Sequence, residues 1–302
     1  MTIKDVIIIG AGPAGITAAI YAARKKLDFV IISRDVGGQT AWAGEIDNYT
    51  GQQIVPGVEL AMKFREHLEK YKFDLKEGVG VAKVEKIADG FRVTTEKNDV
   101  FEARTIVVAS GKRPRLLGVP GEAKYKNKGV NFCATCDGPL FAGKNVAVIG
   151  GGNSALDAAL SLVRIVPKLY IINVTEALSG DAVMIDKLTK ADNVEIINQA
   201  KTKEIFGEQF VKGLKYEKDG QVQELAVEGI FVEVGLVPNA TFIDIVEKNE
   251  HGEIIINSTT ETSVHGIFAA GDVTNVPEKQ IIIAAGEGAK ASLAAFRYLS
   301  TH

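Results

Sequence analysis

Cysteine is nearly missing from this chain: 302 residues contain two, Cys133 and Cys136. Histidine is scarce as well, with four copies at His67, His251, His265 and His302, none near the cysteine pair in sequence. A structural zinc site needs about four ligands, so two thiols without neighbouring imidazoles do not make one, and no metal is expected. No stretch approaches about 18 consecutive apolar residues, so no membrane-spanning helix is expected. A strong excess of either charge is also lacking. The net charge of −3 and the pI near 5.9 give no electrostatic reason for nucleic acid or an anionic membrane to be a partner. The opening residues, Met1-Thr2-Ile3-Lys4-Asp5, lead straight into an apolar run with no basic region, signal core or cleavage site, so a cytoplasmic location is expected.

What is present is ordinary in bulk and unusual in detail. A composition of 46% hydrophobic and 24% charged residues suits a globular protein, and the length suits two domains. The two cysteines stand together as Cys133-Ala134-Thr135-Cys136, with an acid, Asp137, next and Gly138-Pro139 after it. A two-residue spacing suits a disulfide that is made and broken repeatedly, and in a reducing compartment a lone Cys-x-x-Cys is more often catalytic than structural.

Two glycine-rich motifs organise the rest. The run Val6-Ile7-Ile8-Ile9 leads into Gly10-Ala11-Gly12-Pro13-Ala14-Gly15 and then into an alanine-rich helical stretch from Ile16 to Ala23. The pattern recurs where Val146-Ala147-Val148-Ile149 leads into Gly150-Gly151-Gly152-Asn153-Ser154-Ala155 and an alanine-rich helix from Leu156 onward. In each, glycines between strand and helix let the backbone approach a pyrophosphate at the helix N-terminus. Ser33, at the end of the second strand, offers a hydroxyl where many such sites place an acid about 20 residues on. Phe91 to Thr95, Thr105 to Ala109 and Phe231 to Gly235 read as strands. The expected fold is α/β with two Rossmann-like dinucleotide-binding domains, the second inserted in the first, with three-layer and β-rich elements. Crossings near Ser110 to Arg115 and Gly235 to Asn239 put the first domain at residues 1–113 and 244–302 and the inserted one at 114–243.

Taken together, Gly10 to Gly15, Gly37-Gly38-Gln39-Thr40, Asp47-Asn48-Tyr49, Ala109-Ser110-Gly111, Cys133 to Asp137, Gly150 to Ala155 and Ala270-Gly271-Asp272 with Lys279-Gln280 resemble the low-molecular-weight thioredoxin reductase family along essentially the whole chain. The part from Gly229 to Ala291 is also similar to the flavoprotein subunit of alkyl hydroperoxide reductase. The resemblance implies FAD on the first motif, held by Gly10, Gly12, Pro13, Ala14 and Gly15, with Ser33, Gly38, Gln39, Thr40, Asn48, Ala109, Ser110, Gly111, Gly271, Asp272, Lys279, Gln280 and Ile281 around it. Asp272 is expected on the ribityl chain, and Gln39 and Asn48 near the ring. It also implies that Cys136 faces the flavin, which leaves Cys133 to attack a partner disulfide as thiolate and Asp137 to manage its proton, unless Asp137 merely caps a helix. Relatives rotate the inserted domain on its two crossings so that one dithiol meets flavin and partner in turn, and they are commonly homodimers.

The expected partner is thioredoxin or a thioredoxin-like protein. A reductase component of a peroxiredoxin system and a non-catalytic redox sensor are the alternatives. The electron donor is less well specified. Gly150, Gly152, Asn153, Ser154 and Ala155 can hold a second pyrophosphate, yet Ile172-Asn173-Val174-Thr175-Glu176-Ala177 follows the next strand, with no basic residue until Lys187. NADPH, whose 2′-phosphate calls for cations, is disfavoured there. NADH calls for an acid where Asn173 stands, so either Asn173 bonds the NADH ribose or the site is vestigial and reduced ferredoxin or a deazaflavin delivers the electrons. Lys112, Arg113, Arg115, Lys124, Lys126 and Lys128 form either a landing surface for an acidic partner or a solvated charge run.

Overall fold

The computed structural model describes residues 3–43, 45–46, 48–132 and 134–301, with Trp42, Glu45, Thr135 and Cys136 described by their backbone alone. The chain divides into two compact units, Met1–Arg113 with Val237–His302 and Pro114–Leu236. The return falls at Val237, within the crossing expected at Gly235 to Asn239; the first unit resumes there and not at 244, because Ala240 and Ile243 are buried in its core and belong to it by packing. The strands at the two crossings, Lys112–Pro114 and Leu236–Pro238, pair as a two-stranded sheet.

The first unit is built on a seven-stranded sheet. Asp74–Glu77, Phe29–Val36, Lys4–Ala11 and Val100–Val108 run parallel in that order. The first half of Val100–Val108 pairs antiparallel with Gly90–Thr95, itself antiparallel to Val81–Ile87, and its second half pairs parallel with Ile267–Ala269. Because successive strand side chains point to opposite faces, Val6 and Ile8 pack under the helices Pro13–Arg24 and Ile281–Thr301, while Ile7 and Ile9 pack against the antiparallel strands. Three layers result. The small residues of Pro13–Arg24 permit close helix contact: a Cβ on Gly288 of the last helix would lie 2.0 Å from the Ala14 carbonyl oxygen.

The second unit repeats the plan on a smaller scale. Val130–Asn131, Gly229–Val232, Val146–Ile149, Leu169–Ile172 and Val194–Ile197 form a five-stranded parallel sheet, with the apolar runs expected of strands buried on both faces. Asn153–Leu162 and Ala182–Thr189 cover one face, and the antiparallel strands Lys201–Gly207, Val211–Lys218 and Gln221–Ala226 cover the other. The strand read as Phe231 to Gly235 begins and ends earlier, at Gly229–Val232, and Gly235 turns the chain with φ of +96°. No helix among the described residues is long and apolar enough to cross a membrane.

Candidate active site

In the first unit, only Gly12 separates the strand Lys4–Ala11 from the helix Pro13–Arg24. Gly10 has φ of +106°, and a Cβ there would lie 2.3 Å from the Ala109 carbonyl oxygen; a Cβ on Gly15 would lie 1.9 Å from the Gly10 oxygen. Neither position admits a side chain without moving backbone. Gly12 caps the helix with no side-chain hydrogen bond, Pro13 brings no N–H, and no acid stands in the first turn. The N–H groups at this end and the positive pole of the helix are therefore available to an anion.

The predicted residues of the first unit gather around that turn. Gly37 and Gly38, with φ of +100° and +55°, fold the next loop back so that a Cβ on Gly38 would sit 3.2 Å from the Gly12 Cα. Thr40, in the same turn, is 2% exposed and its hydroxyl has no hydrogen-bond partner. An unmet buried hydroxyl costs about 1–3 kcal/mol. Gly271, with φ of +77°, lies against the helix start, since its Cβ would be 3.1 Å from that of Ala14, and its N–H donates to Glu287 Oε2 at 2.7 Å. Beside it, Gln39 Nε2 donates to Asp272 Oδ2 at 3.0 Å. Burial pushes the Asp272 carboxyl above its usual range, against the pull of Lys279 and Lys112 and the Gln39 bond.

Other predicted residues are engaged by the protein itself. The Ser33 hydroxyl donates to the Asp35 carbonyl at 2.6 Å and accepts from Ala11 N–H at 3.1 Å, which fixes the end of the first strand. Ala109 N–H donates to Ile9, and Ser110 is locked to Asn239 in both directions, its hydroxyl donating to the Asn239 carbonyl and its own carbonyl accepting from Asn239 Nδ2; Asn239 N–H donates to Gly111. Asn48 Nδ2 donates to Gln280 Oε1 at 3.0 Å, and Ile281 packs on a small cluster with Ile46, Val55 and Leu60.

Lys279 points to a feature the sequence did not disclose. Its ammonium bonds the Thr274 carbonyl and lies 3.2 Å from Glu253 Oε1, which Lys112 meets at 2.8 Å, while Asn249 Nδ2 donates to Glu253 Oε2 at 2.7 Å. The three charged side chains are 20%, 12% and 12% exposed for Lys279, Lys112 and Glu253. Burial opposes ionisation of Glu253, but hydrogen bonds from Lys112, Asn249 and Lys279, with the Lys279 charge, prevail and hold its pKa at about 2. Lys112 is thus no part of a solvated landing surface. Nothing in the local pattern around Glu253 marks it, because its partners are distant in sequence.

The second turn has the same backbone. Gly150 has φ of +140°, with a Cβ position 2.2 Å from the Glu233 carbonyl oxygen, and Gly152 caps the helix Asn153–Leu162 without a side-chain bond. Ala155 is fully buried beneath it, and Ser154 is exposed. Asn153 Oδ1 accepts from Asp181 N–H at 2.7 Å, and Ser179 N–H donates to the Gly151 carbonyl, so the loop after the next strand folds onto the turn. Asn173 does not present itself to a ribose. It is 2% exposed, its amide hydrogens go to the Thr175 carbonyl and Asn198 Oδ1, and Thr175 covers its oxygen. Glu233, at the strand end, titrates close to neutrality: burial, then repulsion from Asp157, raises its pKa to about 7.

Of the dithiol, Cys133 lies outside the described residues, as does the side chain of Cys136. The short helix Ala134–Asp137 carries the Cys136 backbone, anchored by buried Ala134 and by Phe141, which packs edge-on against Phe231 at 5.3 Å. Asp137 precedes the 3-10 turn Gly138–Phe141 without a capping hydrogen bond, so capping does not account for it, and burial raises its pKa. Two residues ahead of Cys133, the side-chain amide of Asn131 is buried with no partner for its nitrogen, a residue sequence reasoning passed over.

Comparison with known proteins agrees with this geometry. The chain is 43% identical to the F subunit of alkyl hydroperoxide reductase from Staphylococcus epidermidis over 98% of its own length and 59% of that protein's, so it spans well under two thirds of that relative. Among solved structures, thioredoxin reductase from T. acidophilum is 38% identical with a TM-score of 0.84, over 99% of this chain and 98% of the other. Thioredoxin reductase from Lactococcus lactis, in its FR conformation, is 36% identical with a TM-score of 0.88, over 99% and 100%. Residues 4–288 match one family, and the chain belongs to the pyridine nucleotide-disulphide oxidoreductases.

Proposed function

We propose that the protein is a flavin-dependent protein disulfide reductase that takes electrons from a donor and passes them through FAD and the Cys133-Cys136 pair to thioredoxin or a thioredoxin-like protein. The observation that carries this reading is the presence, in one chain, of two uncapped glycine turns and a single Cys-x-x-Cys. The first turn suits FAD: glycine at 12 and 38 leaves a cradle that side chains would fill, and the unmet Thr40 hydroxyl awaits a polar atom. Gly10, Gly12, Pro13, Ala14 and Gly15 would hold the pyrophosphate, with Gln39 and Asp272 beside them. When bound, FAD supplies two-electron transfer between donor and disulfide.

The thiols perform the exchange. Cys133 thiolate attacks one sulfur of the partner disulfide, forming a mixed disulfide and releasing the other partner sulfur as thiolate. Cys136 thiolate then attacks the Cys133 sulfur, closes the intramolecular disulfide and frees the second partner thiol. Asp137, its affinity for a proton raised by burial, is suited to hand that proton to a departing thiolate. The reduced dithiol is restored by two electrons from the donor.

For the donor, the lack of cations between Asn173 and Lys187 argues against NADPH, and the enclosed Asn173 amide weakens the case for NADH. NADH, reduced ferredoxin and a deazaflavin stand as the candidate donors. Likeness to the alkyl hydroperoxide reductase flavoprotein favours a second reading, delivery of electrons to a carrier in a peroxiredoxin system. Exposed Ile54, Val58 and Met62, the last two one turn apart on Gly57–Glu69, support a homodimer, and the dithiol chemistry suits a reducing, cytoplasmic setting.

Anaerobic titration of the FAD-reconstituted protein with NADH, NADPH and reduced ferredoxin should bleach the visible flavin band with one of them, and thioredoxin or the peroxiredoxin carrier should then be turned over repeatedly. Cys136→Ser should keep the band and lose turnover by at least about 10³-fold. Failure to bind FAD, or undiminished turnover in that variant, overturns the reading.

A further inference from the structure

Two lysines share one carboxylate in the first unit, and the arrangement is too well enclosed to be an incidental surface pair. Lys112 comes from the strand Lys112–Pro114, Glu253 from the loop before Ile267–Ala269, and Lys279 from the segment before the last helix. Asn249 and the Thr274 carbonyl complete the hydrogen bonding, so the three charges are fixed in place. Two ammonium groups against one carboxylate leave one positive charge in excess within the triad, and the carboxyls of Asp272 and Glu287 face it. Partly buried charges are screened by salt less than exposed ones, so its field persists. The Lys279 ammonium bonds the Thr274 carbonyl, and the Thr274 hydroxyl donates to the Gly271 carbonyl at 2.8 Å, so the group stands beside Asp272, whose carboxyl is raised by burial against the pull of Lys279 and Lys112. Asp272 in turn adjoins Gly271, which lies against the start of the first helix.

We infer that Lys112, Glu253 and Lys279 act together as a charge-setting group for the flavin site, with Lys112 a positioning residue that raises the reduction potential of the bound cofactor. The inference rests on the FAD reading above. Two-electron reduction leaves the flavin more negative unless every electron is matched by a proton, and a fixed positive field favours the reduced form. A partly buried ion pair is a weak source of net stability compared with apolar packing, so three partly buried charges held together here point to an electrostatic role.

The test is the midpoint potential of the bound flavin, measured anaerobically against reference dyes. Lys112→Met should lower it, making the reduced-to-oxidised ratio at fixed potential about tenfold smaller, a shift of about 30 mV for a two-electron couple. Glu253→Gln should move it the opposite way, the double variant should return toward the parent, and Lys112→Arg should stay close to it. If Glu253→Gln does not fold, Lys279→Met replaces it and should shift the potential in the same direction as Lys112→Met. Unmoved potentials in FAD-loaded Lys112→Met, or shifts of one sign for both Lys112→Met and Glu253→Gln, overturn the triad's role while leaving the flavin reading intact. A parent protein that binds no FAD removes the basis for both.

Discussion

The turns at Gly10–Gly15 and Gly150–Ala155 share a backbone and differ in what surrounds it. In both, a glycine at positive φ backs onto a carbonyl, Ala109 for the first and Glu233 for the second, and a second glycine caps the helix with no side chain of its own. Around the first turn, polar groups are left open or carry a raised proton affinity, as with the Thr40 hydroxyl and Asp272. Around the second, polar groups are taken up by the protein itself: buried Asn173 bonds Thr175 and Asn198, and the exposed Asn153 accepts the Asp181 N–H. The glycine pattern therefore confers the capacity to seat a pyrophosphate, while the choice of dinucleotide lies in side chains outside the pattern.

Buried carboxylates extend the contrast and yield the largest expected effect. Glu253 in the first unit is held at about 2 by cations, whereas Glu233 in the second is raised to about 7 by burial and Asp157. Below the ordinary carboxylate range, Glu233 is protonated whether the chain is folded or not. Between about 4.5 and about 7 the unfolded chain releases that proton and the folded chain keeps it, so stability falls as pH rises, by on the order of 3 kcal/mol in all. Above about 7 the loss is complete and constant. Glu233→Gln should remove this slope, so urea midpoints measured from pH 5 to 8 should decline less steeply in the variant than in the parent. Parallel curves would mean that Glu233 is as well solvated as any surface acid, and the two units would no longer differ in this respect.

Much of the fold was legible in the sequence, because its signals are local. Apolar runs into glycine turns and alanine-rich helices announced the parallel strands of both sheets, and the dithiol stood out through the scarcity of cysteine. The return crossing expected at Gly235 to Asn239 contains Val237, while the domain bound at 244 falls past it, since the packing of Ala240 and Ile243 is a tertiary fact. The gathering of Gln39 on Asp272 spans residues far apart in the chain and rested on resemblance alone. Glu253, Asn249, Asn239 and Asn131 were missed, as their partners or their lack of one depend on long-range contacts. Lys112 was misread because a lysine among arginines looks like surface until its partner across the fold is known.

The capping glycines offer the sharpest comparison, since both can accept a methyl group without disturbing the protein. A Cβ on Gly12 would meet only the Gly38 Cα, at 3.9 Å, and one on Gly152 only Ser179 Oγ, at 3.9 Å. Any loss therefore reports a ligand's approach instead of a misfolded turn. Gly12→Ala should weaken FAD retention by roughly 30-fold, or about 2 kcal/mol, measured by fluorescence on titrating the apoprotein. Gly152→Ala should leave FAD in place and raise the KM for a pyridine-nucleotide donor by roughly 10-fold or less, because fewer contacts converge on the second turn. If Gly152→Ala leaves reduction by every donor unchanged, electrons do not enter through that turn, and the internally bonded Asn173 and Asn153 mark a dinucleotide site that the chain keeps in backbone and no longer uses.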